Sequence, residues 1–417
     1  MSLNSTPSAE RTHIGIFGRR NAGKSSVINA LTSQDLAIVS DRKGTTTDPV
    51  SKAMELLPLG PVVLTDTPGL DDTGQLGALR VRKARQTLNR TDIAVLVVDG
   101  AGPQAGEPGF TEEDAKILRL IREKQIPCIL AVNKADLMTE EDLAAPAWKE
   151  AGKDCAKTVF VSARTGLGIR ELKENLAALA PREDSERRIV GDLLRPGDLV
   201  CLVVPIDKAA PKGRLILPQQ QTIRDILEAG AFAVTARDTE LGEFLSGRDG
   251  RPGLRPDLVI TDSQVFPFVA SLVPEEIPLT SFSILFARYK GNLKALAEGA
   301  RALDTLRRGD RILLCEGCTH HRQCGDIGTV KLPALIRRHT RLAGPDDLAF
   351  SFTSGADFPE DLSGYRVIIH CGGCMLNERE MKYRLACAAD AGIPMTNYGT
   401  AIAHMSGILN RSLQPLL

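Results

Sequence analysis

Two groups of residues in the 417-residue sequence have types and spacing suited to chemistry. The first begins with Gly18-Arg-Arg-Asn-Ala-Gly-Lys-Ser25, which follows a short apolar run and precedes a helical pattern. This pattern between a strand and a helix is typical of a P-loop, whose backbone N–H groups surround phosphate oxygens. The residues expected to contact a bound nucleotide here are Gly18, Asn21, Ala22, Gly23, Lys24, Ser25 and Ser26.

The polar side chains of this region suit a nucleotide bound with Mg²⁺. Lys24 is expected to reach the β- and γ-phosphate oxygens, and the Ser25 hydroxyl to bind Mg²⁺. Asp66-Thr-Pro-Gly69 follows a second apolar run. The Asp66 carboxylate is placed to hold Mg²⁺, and the Gly69 N–H to sense the γ-phosphate.

A polar segment, Gly44-Thr-Thr-Thr-Asp48, lies between these two motifs. One of its threonines should complete the Mg²⁺ shell, and we assign Thr46, with Thr45 as the alternative. The candidate catalytic residues are therefore Lys24, Thr46, Asp66, Gly69 and Asn21.

Asn133-Lys-Ala-Asp136 follows another apolar run and predicts the identity of the base. A carboxylate at Asp136 accepts two N–H donors from guanine, which adenine does not offer. The methylene stem of Lys134 can lie on the purine ring. Ser162 and Ala163 follow the last apolar run of the region, and the Ala163 N–H is expected to reach the guanine oxygen. The set predicts GTP rather than ATP.

Residues 12–180 resemble the translation-factor-related GTPases, and within them the Era and tRNA-modification GTPase group. Leu70 stands where Ras-like proteins have a glutamine that orients the attacking water, and a leucine cannot orient water. In the group that the sequence resembles, a monovalent cation, usually K⁺, offsets that loss and is held partly by a P-loop asparagine. Asn21 stands at that place, so the resemblance implies K⁺-stimulated GTP hydrolysis. The alternative is that Asn21 only shapes the loop.

The second group consists of cysteines and histidines near the end of the chain. Cys318-Thr-His320 and His370-Cys-Gly-Gly-Cys374 each follow an apolar run, about fifty residues apart. Because the carboxyl ends of strands in an open α/β sheet border one crevice, Cys318, Cys371 and Cys374 are expected to converge. Three thiolates fit Zn²⁺ with a histidine as fourth ligand, or an iron–sulfur cluster with one unusual ligand. Both alternatives stay open on spacing alone, beside a third in which these are unliganded core cysteines.

Three neighbouring cysteines have other expected roles. Cys315 lies at a strand end and competes as a ligand, whereas Cys324 and Cys387 are typical of packing residues. A helical pattern from about Asn377 places a helix N-terminus near the cysteines, which stabilises thiolate over thiol.

Short apolar runs alternate with helical patterns over the first 180 residues, which predicts a mainly parallel sheet covered on both faces. At about 150 residues per domain, a chain of this length has two or three domains. A charged stretch at residues 181–188 and a proline-containing segment at residues 273–278 are the predicted boundaries. The fold class is therefore α/β, with three α/β domains: a P-loop GTPase domain at 1–182, a small α/β domain at 183–276, and a cysteine-bearing domain at 277–417.

Apolar runs and helical patterns also predict individual elements. The strands are Ile14–Phe17, Val62–Thr65, Ile93–Val98, Cys128–Val132, Val159–Val161, Leu199–Val204, Leu215–Leu217, Phe232–Thr235, Leu258–Ile260, Ile312–Leu314 and Val367–Ile369. The helices after the first domain are 222–229, 239–246, 293–305 and 377–391.

Composition argues against several classes of protein. The 52 Lys and Arg residues balance 52 Asp and Glu residues, so no overall field attracts nucleic acid or a membrane surface. No apolar run approaches the roughly 18 to 20 residues of a membrane span, and the first ten residues lack a signal-peptide pattern. We therefore expect a cytoplasmic protein with no nucleic-acid or membrane partner.

The GTPase motifs, followed in one chain by Cys-x-His and then by His-Cys-x-x-Cys, resemble the HydF family of FeFe-hydrogenase maturation GTPases. The resemblance covers essentially the whole chain and includes residues 205–218 of the middle domain. It implies a homodimer formed through that domain and a 4Fe-4S cluster on Cys318, Cys371 and Cys374. It also implies a scaffold to which two radical-SAM maturases deliver parts of a diiron precursor, which then passes to apo-hydrogenase.

The resemblance implies an exchangeable fourth position on the cluster. Asp207, His320 and His370 are the candidates, and a carboxylate would exchange easily because it is a hard ligand on a soft cluster. For Asp207 the alternative is a solvated loop residue, and for the two histidines it is hydrogen bonding around the cluster.

Two other functions remain open at this stage. One is an RNA-acting GTPase, for tRNA modification or ribosome assembly, with a structural zinc domain. Aromatic residues at only 4% and the lack of a lysine-rich stripe argue against it. The other is a metal sensor switched by nucleotide.

Overall fold

The computed structural model describes residues 6–32, 50–67, 83–102, 109–180, 187–206, 215–318, 326–344, 346–355 and 357–416. The chain forms two compact units, Met1–Glu183 and Asp184–Leu417. None of the described helices is long and apolar enough to cross a bilayer.

The first unit is built on a six-stranded sheet in the order β2-β3-β1-β4-β5-β6, in which only β2 runs antiparallel to its neighbour. The strands are β1 (Thr12–Phe17), β2 (Val50–Leu56), β3 (Gly60–Asp66), β4 (Ile93–Asp99), β5 (Cys128–Asn133) and β6 (Lys157–Phe160). The helices are α1 (Lys24–Thr32), α2 (Glu112–Glu123), α3 (Glu140–Ala144), α4 (Pro146–Ala151) and α5 (Ile169–Leu179), with residues 83–88 also helical and short 3₁₀ turns at Ser8–Glu10 and Ala135–Leu137.

Helices cover both faces of this sheet, as its apolar strands require. Every residue of β4 and β5 is buried. Val95 and Val97 pack on one face with residues of α1 and α5, while Leu96 and Val98 pack on the other with residues of α2. A parallel strand buried on both sides reads as a continuous apolar run, which is why the sequence predicts these strands well.

The second unit begins with a four-stranded parallel sheet in the order β12-β11-β7-β8. Its strands are β7 (Leu199–Val203), β8 (Phe232–Ala236), β11 (Leu258–Thr261) and β12 (Leu279–Ser281), with a separate two-stranded hairpin of β9 (Gly247–Arg248) and β10 (Arg251–Pro252). The helices are α6 (Leu217–Glu228), α7 (Leu241–Ser246), α8 (Phe266–Leu272) and α9 (Phe282–Lys290), with 3₁₀ turns at Gly191–Leu193 and Asp238–Glu240.

A second four-stranded parallel sheet follows, in the order β14-β13-β15-β16. Its strands are β13 (Arg311–Glu316), β14 (Ala349–Ser354), β15 (Val367–His370) and β16 (Met395–Asn397). The helices are α10 (Leu293–Ala300), α11 (Leu332–Thr340), α12 (Glu378–Asp390), α13 (Tyr398–Met405) and α14 (Leu409–Leu413), with 3₁₀ helices at Arg301–Thr305 and Gln414–Leu416 and a π-helix at Ile327–Lys331.

The predicted α/β class with a mainly parallel first sheet is confirmed. One predicted strand, Leu215–Leu217, is wrong, because Leu217 begins helix α6. Pro218 lies in the first helical turn, where its missing N–H costs nothing. The Ile216 N–H donates to the Gln219 side chain at 3.0 Å, which caps the helix start. The division into three domains stays a prediction.

Candidate nucleotide and metal sites

The P-loop connects β1 to α1, and its two motif glycines are required by close packing. Gly18 has a φ of +143°, and a Cβ there would lie 2.2 Å from the carbonyl oxygen of Val97. Gly23 has a φ of +89°, and a Cβ there would lie 2.2 Å from Nδ2 of Asn133. Any side chain at these positions would therefore displace the loop from the strands behind it.

Lys24 directs its ammonium group into the loop. Its Nζ donates to the carbonyl oxygens of Gly18 at 3.0 Å and Arg19 at 2.8 Å, and the side chain is buried. A buried cation surrounded by loop backbone provides the positive charge that a nucleotide triphosphate needs.

Arg19 ties the loop to helix α2, a role that the sequence motif does not reveal. Its Nε donates to Oδ2 of the buried Asp114 at 3.0 Å. The same carboxylate accepts the Thr111 N–H and caps α2. Burial raises the pKa of Asp114, and hydrogen bonds from Thr111 together with the charge of Arg19 oppose that rise.

Two of the residues predicted to bind Mg²⁺, Ser25 and Asp66, meet at the carboxyl end of β3. The Ser25 hydroxyl donates to Oδ2 of Asp66 at 2.7 Å. The other carboxylate oxygen, Oδ1, is buried with no hydrogen-bond partner among the described residues. Burial raises the pKa of Asp66, while Ser25 and Lys24 lower it. An unpartnered carboxylate oxygen beside a hydroxyl fits Mg²⁺, which takes oxygen ligands.

Asn133 joins the predicted base-binding segment to the P-loop. Its Nδ2 donates to the Ala22 carbonyl oxygen at 3.0 Å, and its Oδ1 accepts the Ala163 N–H at 3.1 Å. Asn133 is buried, so these bonds are sheltered from water. The Ser162 hydroxyl accepts the Thr165 N–H at 3.1 Å and shapes the adjacent turn.

The remaining predicted contacts to the nucleotide lie at the same edge of the sheet. Lys134 is in the left-handed region with φ +65° and forms an ion pair with Asp99. Asp136, Asn21 and Ser26 are exposed. Asn21 has a φ of +64°, which asparagine tolerates better than most residues. Four residues predicted for this region, Thr45, Thr46, Gly69 and Leu70, lie outside the described residues.

Two of the three predicted cluster cysteines follow neighbouring strands. Cys318 lies just after β13 and Cys371 just after β15, and these strands pair in parallel. Backbone N–H groups of Gly317 and Gly373 donate to the Cys371 sulfur at 3.0 and 3.4 Å. Burial raises the pKa of the Cys371 thiol to about 12, although the N–H groups of Gly317 and Gly373 oppose that rise. Gly317 directly precedes Cys318, so its contact with the Cys371 sulfur brings Cys318 close to Cys371, and Cys374 follows three residues later in the same loop.

This donor set fits an iron–sulfur cluster. Three cysteines follow neighbouring strand ends, and backbone N–H donors to sulfur are among the groups that set the potential of such clusters. The buried Lys290 adds a positive charge, and its Nζ donates to the carbonyl oxygens of Cys374 at 3.2 Å and Leu376 at 3.0 Å. Burial raises the pKa of Cys374, and Lys290 lowers it. Sequence reasoning missed Lys290, which ends a mainly apolar helix.

His370 is buried with both ring nitrogens engaged. Nδ1 lies 2.8 Å from the Cys371 carbonyl oxygen, and Nε2 lies 2.9 Å from an Arg384 nitrogen. Because arginine only donates, Nε2 accepts and Nδ1 carries the proton. Burial, with the charge of Arg384, lowers the pKa of His370 to about 3. This arrangement favours hydrogen bonding over ligation. The other two candidates, Asp207 and His320, lie outside the described residues.

Cys315 points away from the predicted cluster. It packs with Leu313 and Ile368, whereas Cys371 packs on the other face with Leu314 and Ile369. Burial raises the pKa of Cys315 to about 11. Its predicted competition as a ligand therefore has no support in the geometry. Cys387 packs against the same apolar core as Cys315. Cys324 lies outside the described residues.

Parallel strands, a P-loop before α1 and a guanine-type Asn-Lys-x-Asp segment define the first unit as a P-loop GTPase domain. Residues 13–134 match the family model described as 50S ribosome-binding GTPase. Residues 189–291 match the hydrogen maturase F dimerization domain, and residues 294–415 match the hydrogen maturase F tetramerization domain. These two models together cover more than half of the chain, which belongs to the hydrogen maturase F family.

Curated relatives align with the GTPase region. The chain is 38% identical over 170 residues to the tRNA modification GTPase MnmE of Synechococcus sp. (strain JA-3-3Ab), covering 40% of this chain and 33% of that protein. It is 33% identical over 197 residues to GTPase Era of Stenotrophomonas maltophilia (strain R551-3), covering 44% of this chain and 63% of that protein. The crystal structure of Aquifex aeolicus Era bound to GDP.AlF4- is 20% identical with a TM-score of 0.36, covering 54% of this chain and 92% of that chain.

Proposed function

We propose that the chain is a GTP-hydrolysing scaffold that assembles the diiron precursor of the FeFe-hydrogenase active site and delivers it to apo-hydrogenase. The grouping of Cys318, Cys371 and Cys374, with two backbone N–H groups directed at one sulfur, carries this proposal. A P-loop GTPase domain in the same chain, together with the family assignment, supplies the rest.

GTP binds with Mg²⁺ in the first unit. Lys24 neutralises phosphate charge, while Ser25, Asp66 and Thr46 hold the metal ion. Asp136 and Ala163 recognise guanine. K⁺ at Asn21 supplies the positive charge that Leu70 cannot, and Gly69 senses the γ-phosphate.

The three cysteines hold a 4Fe-4S cluster, whose chemistry is to bind and release the diiron cargo at its fourth position. Asp207 and His320 remain the candidates for a displaceable group at that position. His370 holds the Cys371 loop through its Nδ1 proton instead. The glycines between Cys371 and Cys374 let this loop pack closely against its neighbours: a Cβ at Gly373, which has a φ of +66°, would lie 2.7 Å from the Met381 sulfur.

The partners follow from this role. The chain acts in the cytoplasm as a homodimer formed through its middle domain, with no nucleic-acid or membrane partner. It receives material from the two radical-SAM maturases and passes the diiron unit to apo FeFe-hydrogenase.

Anaerobic reconstitution with iron and sulfide tests the cluster. UV-visible and EPR spectra should show a 4Fe-4S cluster in the wild type that disappears in Cys318→Ala, Cys371→Ala and Cys374→Ala. The matched control is Cys387→Ala, which removes a half-buried thiol of the same region and should keep the spectrum. After incubation with the two radical-SAM maturases and their substrates, the reconstituted wild type should also activate apo-hydrogenase, and the three variants should not.

The metal bound by the three cysteines distinguishes the scaffold proposal from the alternative function. An RNA-acting GTPase with a structural zinc domain predicts one Zn²⁺ on these cysteines and no iron after reconstitution. Zinc is silent in both spectra, so metal analysis of the same samples decides between the two. Stoichiometric zinc with no iron would refute the scaffold proposal.

A further inference from the structure

A second group of metal-ligating side chains lies in the second unit, apart from the cysteines. Asp304 lies in the 3₁₀ helix Arg301–Thr305, His339 in α11 and His404 in α13. Nε2 of His339 is 2.7 Å from Oδ1 of Asp304, and Nε2 of His404 is 2.9 Å from Oδ2. One ligand atom from each residue lies within 4.8 Å of the others. Three separate elements therefore direct ligand atoms to one point.

We propose that Asp304, His339 and His404 form a binding site for one divalent transition-metal ion, with Zn²⁺ as the natural occupant. Two imidazole nitrogens and one carboxylate oxygen suit Zn²⁺ and its first-row neighbours, whereas Mg²⁺ and Ca²⁺ take oxygen ligands. Three protein ligands leave a fourth position for water.

The present distances are close to those of an occupied site. With bonds of about 2.0 to 2.1 Å to zinc, the ligand atoms of a tetrahedral site are roughly 3.3 Å apart. The observed separations of 2.7 and 2.9 Å run from the two rings to different oxygens of Asp304, so an ion between the rings would take one of these oxygens or both. The ion takes the place of the two Nε2 protons, and each ring then carries its proton on Nδ1.

Two helix ends favour a cation at this site, and the site is open to solvent. Both histidines lie in the last turn of their helices, where the carbonyl groups carry partial negative charge. The side chains of His339 and His404 are 24% and 18% exposed, so packing holds their rings, while Asp304 is 51% exposed and open to solvent. Burial raises the pKa of Asp304, but hydrogen bonds from the two histidines lower it overall. His339 also lines a cavity of ≈ 240 Å³ beside the site.

A Co²⁺ titration of the full-length chain tests the site. The cysteines bind the same metals, so the titration uses the variant Cys318→Ala/Cys371→Ala/Cys374→Ala. We expect one equivalent of Co²⁺ with visible d–d bands and no thiolate charge-transfer band. His339→Gln or His404→Gln should weaken binding more than about 100-fold, because loss of an outer partner alone costs about 10- to 100-fold. Asp390→Asn, an exposed acid at the end of α12, should leave the affinity unchanged.

A second measurement tests the site without the triple cysteine variant, so the test still holds if that variant does not fold. Wild-type chain dialysed against zinc should retain one Zn²⁺ more per chain than His404→Gln, with far-ultraviolet circular dichroism showing both proteins folded. Equal zinc content, or Co²⁺ binding that both histidine variants leave intact, would overturn the proposal. The site uses none of the cysteines, so its failure and that of the scaffold proposal are distinguishable.

Discussion

Arg384 is the largest fully buried side chain of the described chain. It donates to Glu380 Oε1 at 2.8 and 2.9 Å, lies 2.9 Å from His370 Nε2 and donates to the Gly355 carbonyl at 2.7 Å. One guanidinium group thus fixes the residue that precedes Cys371. A buried charge must be paired, so the partners of Arg384 are needed to keep its guanidinium group in the core.

Replacing Arg384 with Met should destabilise the second unit by about 3 to 5 kcal/mol, because the buried Glu380 carboxylate loses the guanidinium group that balances its charge. Urea unfolding followed by circular dichroism measures the change. The double variant Arg384→Met/Glu380→Gln removes both charges and should recover part of the loss. A single variant as stable as the wild type would contradict the pairing argument.

Asn21 is the residue on which a K⁺ requirement of GTP hydrolysis should depend. GTP hydrolysis should be at least about tenfold faster in K⁺ than in Na⁺ at matched ionic strength, since losing one electrostatic stabiliser of a transition state typically costs about a hundredfold or more. Asn21→Ala should remove the difference between the salts, while Asn175→Ala in α5 should keep it. Initial rates of phosphate release provide the measurement, and equal wild-type rates in both salts would count against Asn21.

The sequence predicts the role of residues that belong to a recognisable motif. It does not predict the role of the residues that hold those motifs in place. The P-loop and the cysteines stand out because their chemistry fixes both residue type and spacing. Glu380 and Arg384 have the i,i+4 spacing of an ordinary surface ion pair. Only tertiary packing buries them, so the sequence gives no signal of their role.

Helix α9 positions the loop that carries Cys374. It is apolar over most of its length, and Lys290 at its end is buried beneath the loop of residues 373–376. The helix therefore positions the Lys290 ammonium group to donate hydrogen bonds to the backbone carbonyl groups of this loop.

Lys290→Met should loosen this loop without removing a ligand. Each hydrogen bond from a charged group contributes about 1.5 to 3 kcal/mol, so we expect faster loss of iron to a chelator after anaerobic reconstitution. Lys294→Met, an exposed lysine in the next helix, is the control and should release iron at the wild-type rate. Unchanged release from the Lys290 variant would show that the carbonyl contacts do not hold the loop.

At the scale of elements, burial decides what the sequence predicts. Strands β4, β5, β7 and β15 are almost fully buried and read as apolar runs. The edge strand β14 has no fully buried residue, and β16 has only three residues, so neither forms a recognisable run. Edge and very short strands are defined by their partners in the sheet, which a local pattern does not contain.

The whole molecule consists of two compact units, each with its own apolar core. The nucleotide residues described above all belong to Met1–Glu183, and the three cysteines all belong to Asp184–Leu417. The described residues of each site therefore belong to one unit, a division that the sequence motifs also indicate by their order along the chain.

This division predicts that the two activities are lost separately. Lys24→Ala removes a buried charge from the phosphate site, so GTP turnover should fall by at least about a hundredfold while iron content after reconstitution stays at the wild-type value. Cys371→Ala should show the reverse, with full GTP turnover and no cluster spectrum. Both quantities are measured on the same preparations, with Cys387→Ala as the variant that keeps both. A Lys24→Ala chain that folds but no longer takes up iron would show instead that nucleotide binding is needed to form the cluster site.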